Sequence, residues 1–188
     1  MLEVFDDVTM WRNNFVPGEE KVALIARRQA APFPMPVDGN QDAMRAAVRG
    51  LHWSQTLPDM VRVQRESMPF FYAGNVSAAH ELFEAYPVNT DNHPIIEYQT
   101  PKLFRKVATR DKVIWCVGPK LADWIDRIMQ AAPLDAEPSW RGHPPASRHL
   151  VRSGVAFHRS MIYKAMDQRQ KLEAAWAAFV REWELGAH

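Results

Sequence analysis

From about Ala146 to Glu184 the chain places apolar residues at helical spacing almost without a pause. Leu150, Phe157, Met161, Ala165, Leu172, Trp176, Phe179 and Trp183 fall mostly three or four apart, which puts them on one face of an α-helix. Such a face must be covered, either by other helices of the same chain or by another molecule. Gly154 is the weak point of the run, because glycine disfavours a helix interior. Asp167 marks the place for a break. The fold is therefore helix-rich at its C-terminal end, and the rest of the chain has to supply surfaces for these residues to pack on.

The N-terminal stretch has a different pattern. "VTMWRNNF" (8–15) and "KVALIARR" (21–28) are rich in β-branched and aromatic residues, with "VPGEE" between them. That predicts an antiparallel β-hairpin with a five-residue loop at Pro17 and Gly18. Val22 to Ala26 is nearly continuously apolar, which suits a strand covered on both faces. A lone two-stranded hairpin is marginal in water, so these strands call for a larger sheet.

Residues 28–40 hold three prolines and a glycine and read as an irregular connection. Met44, Ala47, Val48 and Leu51 then follow the helix pattern, capped by Asp38 or Asn40, until Pro58. Ser77 predicts an N-cap for a short helix from Ala78 to Tyr86, stopped by Pro87. Pro119 suits the first turn of a helix whose apolar face is Leu121, Trp124, Ile125 and Ile128. Residues 131–145 read as a second irregular connection. The expected architecture is a helix-rich α/β fold, an antiparallel hairpin followed by about five helices.

Composition excludes several function classes. The 188 residues suffice for one domain with a real core. Net charge is +1 with no long run of one sign, so nothing draws the chain to nucleic acid or to an anionic membrane. No stretch approaches the roughly 18 apolar residues of a membrane span. "MLEVFDDVTMWRNNF" carries acids where a signal peptide needs bases and an apolar run. The single cysteine, Cys116, rules out an intrachain disulfide and fits a reducing, cytoplasmic compartment. Seven tryptophans and nine methionines indicate large buried or interfacial surfaces.

Motifs for chemistry are sparse. No glycine-rich nucleotide loop follows a strand, and no nucleophile elbow is present. Cys116 lies in the apolar "VIWCVG", where an inert buried thiol is the better reading. His143, His149 and His158 lack the i, i+4 spacing of a helical ligand pair. "PVNTDNHPIIEY" (87–98) is the densest polar knot. Asp91, His93 and Glu97 could each ligate a metal, but three such residues without a fourth are common by chance, and no metal is assigned. Asn and Asp between prolines make turns through bonds to their own backbone, and the stretch reads first as an Asx turn.

Taken together, these stretches resemble the C-terminal portion of spermidine synthase-like proteins, the polyamine aminopropyltransferase family, of the type fused to a transporter-like membrane region. "VFDDVTMWRNNFVPGEEKVALIA" resembles the last two sheet strands of that family. "FYAGNVSAAHELFEAYPVNTDNHPIIEYQTPK" is similar to its Thr-Asp-Asp-x-Pro…Glu-Tyr signature. "VIWCVGPKLADWIDRIM" and "PASRHLVRSGVAFHRSMIYKAM" resemble the helical tail beyond it.

The resemblance implies that residues 1–30 are the last strands of a Rossmann-like methyltransferase sheet and that 31–188 form a helical C-terminal extension. In the family, an amine displaces the aminopropyl group of decarboxylated S-adenosylmethionine. Carboxylates hold the amine and a glycine-rich turn holds the nucleoside. This chain has no counterpart to that turn, to the acidic ribose-binding position or to the acidic loop. The implied state is a fragment inactive alone, with no cofactor of its own, completed by a nucleotide-binding chain that brings decarboxylated S-adenosylmethionine as co-substrate. The alternative is a non-enzymatic helical module acting through self-association or a partner chain. Asn89, Thr90, Asp91, Glu97 and Tyr98, with Pro94, match the signature residue by residue and are the implied substrate-binding positions; no catalytic residue follows from the match. Asn92 and His93 depart from the family's aspartate and arginine, which weakens a pocket role and leaves the turn geometry intact.

Overall fold

The computed structural model describes residues 4–12, 15, 22–33, 65–84 and 118–186. Within them the fold is mixed α/β, with a three-stranded antiparallel sheet and three α-helices. Strand β1 is Asp7–Arg12, β2 is Val22–Arg27 and β3 is Tyr72–Asn75. Helix α1 is Gly118–Ala131, α2 is Pro145–Ala165 and α3 is Arg169–Gly186.

The predicted antiparallel pairing of the first two strands is present, and the five-residue loop expected between them lies outside the described residues. β1 and β2 pair antiparallel from Asp7 opposite Arg27 to Arg12 opposite Val22. The sheet order is β2-β1-β3, so β1 is the central strand. β3 comes from a stretch with no strand signal of its own. It joins β1 with Thr9 opposite Asn75 and Met10 opposite Gly74, and the register shifts between Met10 and Trp11.

Successive side chains of β1 serve different cores. Val8 and Met10 pack with Ala73, Leu121, Ile125 and Ile128, so the apolar stripe expected for α1 lies on one face of the sheet. Trp11 meets Tyr72 and Phe33 edge-on at 5.1 and 5.2 Å, in a cluster that also holds Trp140, Leu134 and Val151. A third cluster joins Phe15, Phe70 and Phe71 to Phe157 and Phe179 of the helical pair.

Two close approaches set these layers. A Cβ on Gly74, whose φ is +123°, would stand 2.6 Å from Ile128 Cγ2, so α1 lies directly against β3. A Cβ on Gly154 would stand 1.9 Å from the Phe70 carbonyl oxygen. Gly154 therefore does not weaken α2 into a break; the helix runs straight through it and uses the bare Cα to seat on the backbone at Phe70.

The break falls at Asp167. Its φ is +54°, and the Asp167 and Gln168 amides donate to the Lys164 and Tyr163 carbonyls at 3.2 and 2.9 Å. This is a Schellman ending with aspartate in the position glycine usually takes. The short turn folds α3 back along α2. Phe179 becomes buried between Phe70 and Phe157, while Trp176 stays 45 % exposed.

The helix expected from Ala78 to Tyr86 is corrected. Over the described part there is only a 3-10 turn, His80–Leu82. The Ser77 hydroxyl does not cap it, because it accepts the Val8 amide at 2.8 Å and so closes the end of β1. Asn75 Oδ1 takes the Ala78 amide instead. The helix expected around 44–51 lies outside the described residues, as does the 87–98 turn.

Candidate functional site

β2 is unlike the rest of the sheet. Adjacent strand residues point to opposite faces, yet Leu24 and Ile25 are 48 % and 47 % exposed. The expectation that this apolar run is covered on both faces is therefore corrected. Helices α1 and α2 reach β3 and the central strand, and Ala26 and Arg27 at the end of β2 are half-buried, while Val22 to Ile25 stay exposed. Its only strand partner among the described residues is β1, which makes β2 an edge strand within them.

The C-terminal end of this bare strand is held by a buried polar cluster. Arg27 bonds the Asp7 carboxylate, with Nε donating to Oδ2 at 2.6 Å, and its Nη2 donates to Ser139 Oγ at 2.9 Å. The guanidinium also lies over the Phe33 ring at 4.8 Å. Asn75 Nδ2 donates to Asp7 Oδ1 at 2.9 Å. The Asp7 carboxylate thus joins β1, β2 and β3, and Arg27 carries the link on to the connection after α1. The Phe33 amide donates to the Ser139 carbonyl at 2.9 Å, which fixes the chain leaving β2 on that same connection.

Beside it the Tyr72 hydroxyl donates to Glu137 Oε1. Glu137 is 5 % exposed, and its Oε2 has no hydrogen-bond partner. Burial pushes its carboxyl up to about 7, against the opposite pull of Tyr72, Asn75 and Ser139 beside it. The same burial, with the Glu137 charge next to it, raises the Tyr72 hydroxyl far above its ordinary value. Trp140 closes this cluster, edge-on to Tyr72 at 5.1 Å and to Phe33 at 5.0 Å.

A carboxyl that is half protonated near neutrality can act as an acid or a base. Here Asp7, Glu137 and Ser139 are 1 %, 5 % and 0 % exposed, so the cluster is buried from solvent. The bonds of the cluster lock the end of β2 in place. The exposed part of the strand, Val22 to Ile25, is open to another molecule.

The expected site residues Asn89, Thr90, Asp91, Glu97 and Tyr98 lie outside the described residues, as do His93 and Cys116. The three C-terminal histidines are placed apart. His143 Nε2 is 2.9 Å from the Phe33 carbonyl oxygen, His149 Nδ1 is 2.8 Å from Glu182 Oε2, and His158 packs edge-on to Phe15. Among the described residues no cluster of His, Cys, Asp and Glu is arranged to hold a metal ion. Also among them, no helix is long and apolar enough to cross a membrane.

Asp7, Tyr72 and Glu137 carry no signal in the sequence. Each is a single polar residue in an ordinary stretch, and the Tyr72–Glu137 bond spans 65 positions. No protein-family model, curated protein or solved structure matches this chain.

Proposed function

We propose that this chain is the C-terminal part of a spermidine synthase-like protein, a polyamine aminopropyltransferase-related fragment that is inactive alone. Its β1–β2 hairpin is the remnant of a Rossmann-like sheet, and a complementary nucleotide-binding half supplies decarboxylated S-adenosylmethionine as co-substrate. The observation that supports this is the bare β2 strand. Val22, Leu24 and Ile25, exposed on both faces and at the sheet edge among the described residues, are what remains when a sheet is divided between its strands. The cluster at Arg27 holds the strand extended and ready to pair.

Calorimetry with decarboxylated S-adenosylmethionine tests the first part. The chain by itself is expected to give no saturable heat, and binding by the chain alone overturns the reading. Co-expression with a nucleotide-binding half-domain encoded in the neighbouring reading frame tests the second. A stable complex that is lost on Leu24→Lys supports the proposal.

A second reading is a non-enzymatic module that self-associates. It draws on the same edge together with Trp176, Val180 and Leu185, which α3 leaves exposed. Light scattering separates the two: a concentration-dependent dimer favours self-association, and a monomer at high concentration counts against it.

A further inference from the structure

Helices α1, α2 and α3 border an open groove of about 390 Å³, and none of its lining residues belongs to the sheet. Met129 and Val155 give it an apolar wall. Around them stand the guanidiniums of Arg152, Arg159 and Arg181, with the carboxylates of Asp126 and Glu182. The size falls in the range of small-molecule sites, and an apolar wall with a few charged groups is their usual make-up.

The charges in this cleft do not balance. Arg159 is bonded to Asp126 and is satisfied. Glu182 is engaged by His149 at 2.8 Å and stands 3.7 Å from Arg181, beyond hydrogen-bond length. Arg152 reaches Asp135 at 3.3 Å, but Asp135 is 75 % exposed and shared with Arg148. Exposed pairs of this kind contribute about 0–1 kcal/mol, so Arg152 and Arg181 can turn to a better partner at little cost.

Arg12 adds positive charge behind the same helix. It is 2 % exposed, and a Cβ on Gly154 of α2 would stand 2.9 Å from its Nη2. It donates to the Phe70 and Tyr72 carbonyls and pairs with no carboxylate among the described residues, while Nε and Nη1 have no partner. The charge of Arg159 adds to burial in pushing this guanidinium down to about 9, so the two cations act on each other through the protein. A buried, uncompensated cation is screened far less than a surface one.

We propose that the cleft binds a small organic anion, a carboxylate or phosphate monoester with an apolar body. Arg152 and Arg181 take the anionic group, and Met129 and Val155 pack against the body. Arg159 stays with Asp126 and keeps the wall in place. A guanidinium presents paired N–H groups that match two oxygens of either anion, which is why arginine suits both.

The test uses the full chain in isothermal titration at constant ionic strength. The probes are phenyl phosphate and benzoate, with inorganic phosphate and acetate as anions lacking the body. Saturable binding of a phenyl-bearing anion is expected, with Arg152→Gln and Arg181→Gln each weakening it about tenfold. Arg141→Gln, an exposed arginine away from the cleft, is expected to leave affinity unchanged. The stronger of the two phenyl anions identifies phosphate or carboxylate as the natural group. No saturable binding of either overturns the proposal, as does an equal loss from Arg141→Gln. Equal affinity for acetate or phosphate without the ring overturns the role given to Met129 and Val155.

Discussion

Glu137 gives the most quantitative test of the structure. Its carboxyl rises from the ordinary 4.5 to about 7, a difference of about 2.5, because folding removes it from water. In the unfolded chain it ionises near 4.5, while in the folded chain it holds its proton until about 7. Below 4.5 both states are protonated and the group costs nothing. Between 4.5 and 7 the folded state binds the extra proton, so stability falls as pH rises. Above 7 the loss is complete. At 1.36 kcal/mol per pH unit it reaches about 3 kcal/mol.

Glu137→Gln removes the titration and keeps the shape. The amide oxygen can still accept from Tyr72, which remains neutral across this range. The NH2 group takes the place of Oε2, and any cost of that donor is the same at every pH. The informative quantity is therefore the difference between variant and wild type at two pH values, in which constant terms cancel. Urea unfolding at pH 4.5 and pH 8.5 is expected to show the variant gaining about 3 kcal/mol relative to wild type between them. Stability curves that run parallel over that range refute the buried-carboxylate account.

Gly154→Ala is expected to lower stability by about 3 kcal/mol in the same assay, since its Cβ would meet the Phe70 carbonyl at 1.9 Å and backbone must shift. Asp167→Gly is expected to raise it by about 0.5 kcal/mol, because glycine holds φ +54° without strain but gives back part of the gain in the unfolded chain. Leu24→Lys is expected to change the stability of the isolated chain by less than about 0.5 kcal/mol, as the side chain is 48 % exposed. A large loss on Leu24→Lys would mean that β2 is covered within the chain itself.

Several elements were legible because their signals are local. The β-branched and aromatic residues of 8–15 and 21–28 place the two paired strands, Pro119 lies in the first turn of α1, and Asp167 divides the C-terminal run. β3 was not legible. "YAGN" is too short to show a period, and its extended state is set by bonding to β1 about sixty residues earlier. The stretch 131–145 reads as an irregular surface connection, but Glu137, Ser139 and Trp140 within it are buried because Tyr72 and Arg27 provide their partners.

Local composition, periodicity and turn chemistry thus determined the first two strands and the C-terminal helices, since each depends on residues within a few positions. They also placed the apolar face of α1, which packs as its spacing requires. Only the tertiary structure decided what those faces meet. It turned Gly154 from a weak point into a contact, gave Ser77 to β1 instead of a helix, and left Leu24 and Ile25 bare on a strand whose composition asks for cover. The reason is distance along the chain. Burial and hydrogen bonding between residues some sixty or more positions apart, such as Val8 with Ser77 and Tyr72 with Glu137, depend on how elements assemble, and no local pattern records that.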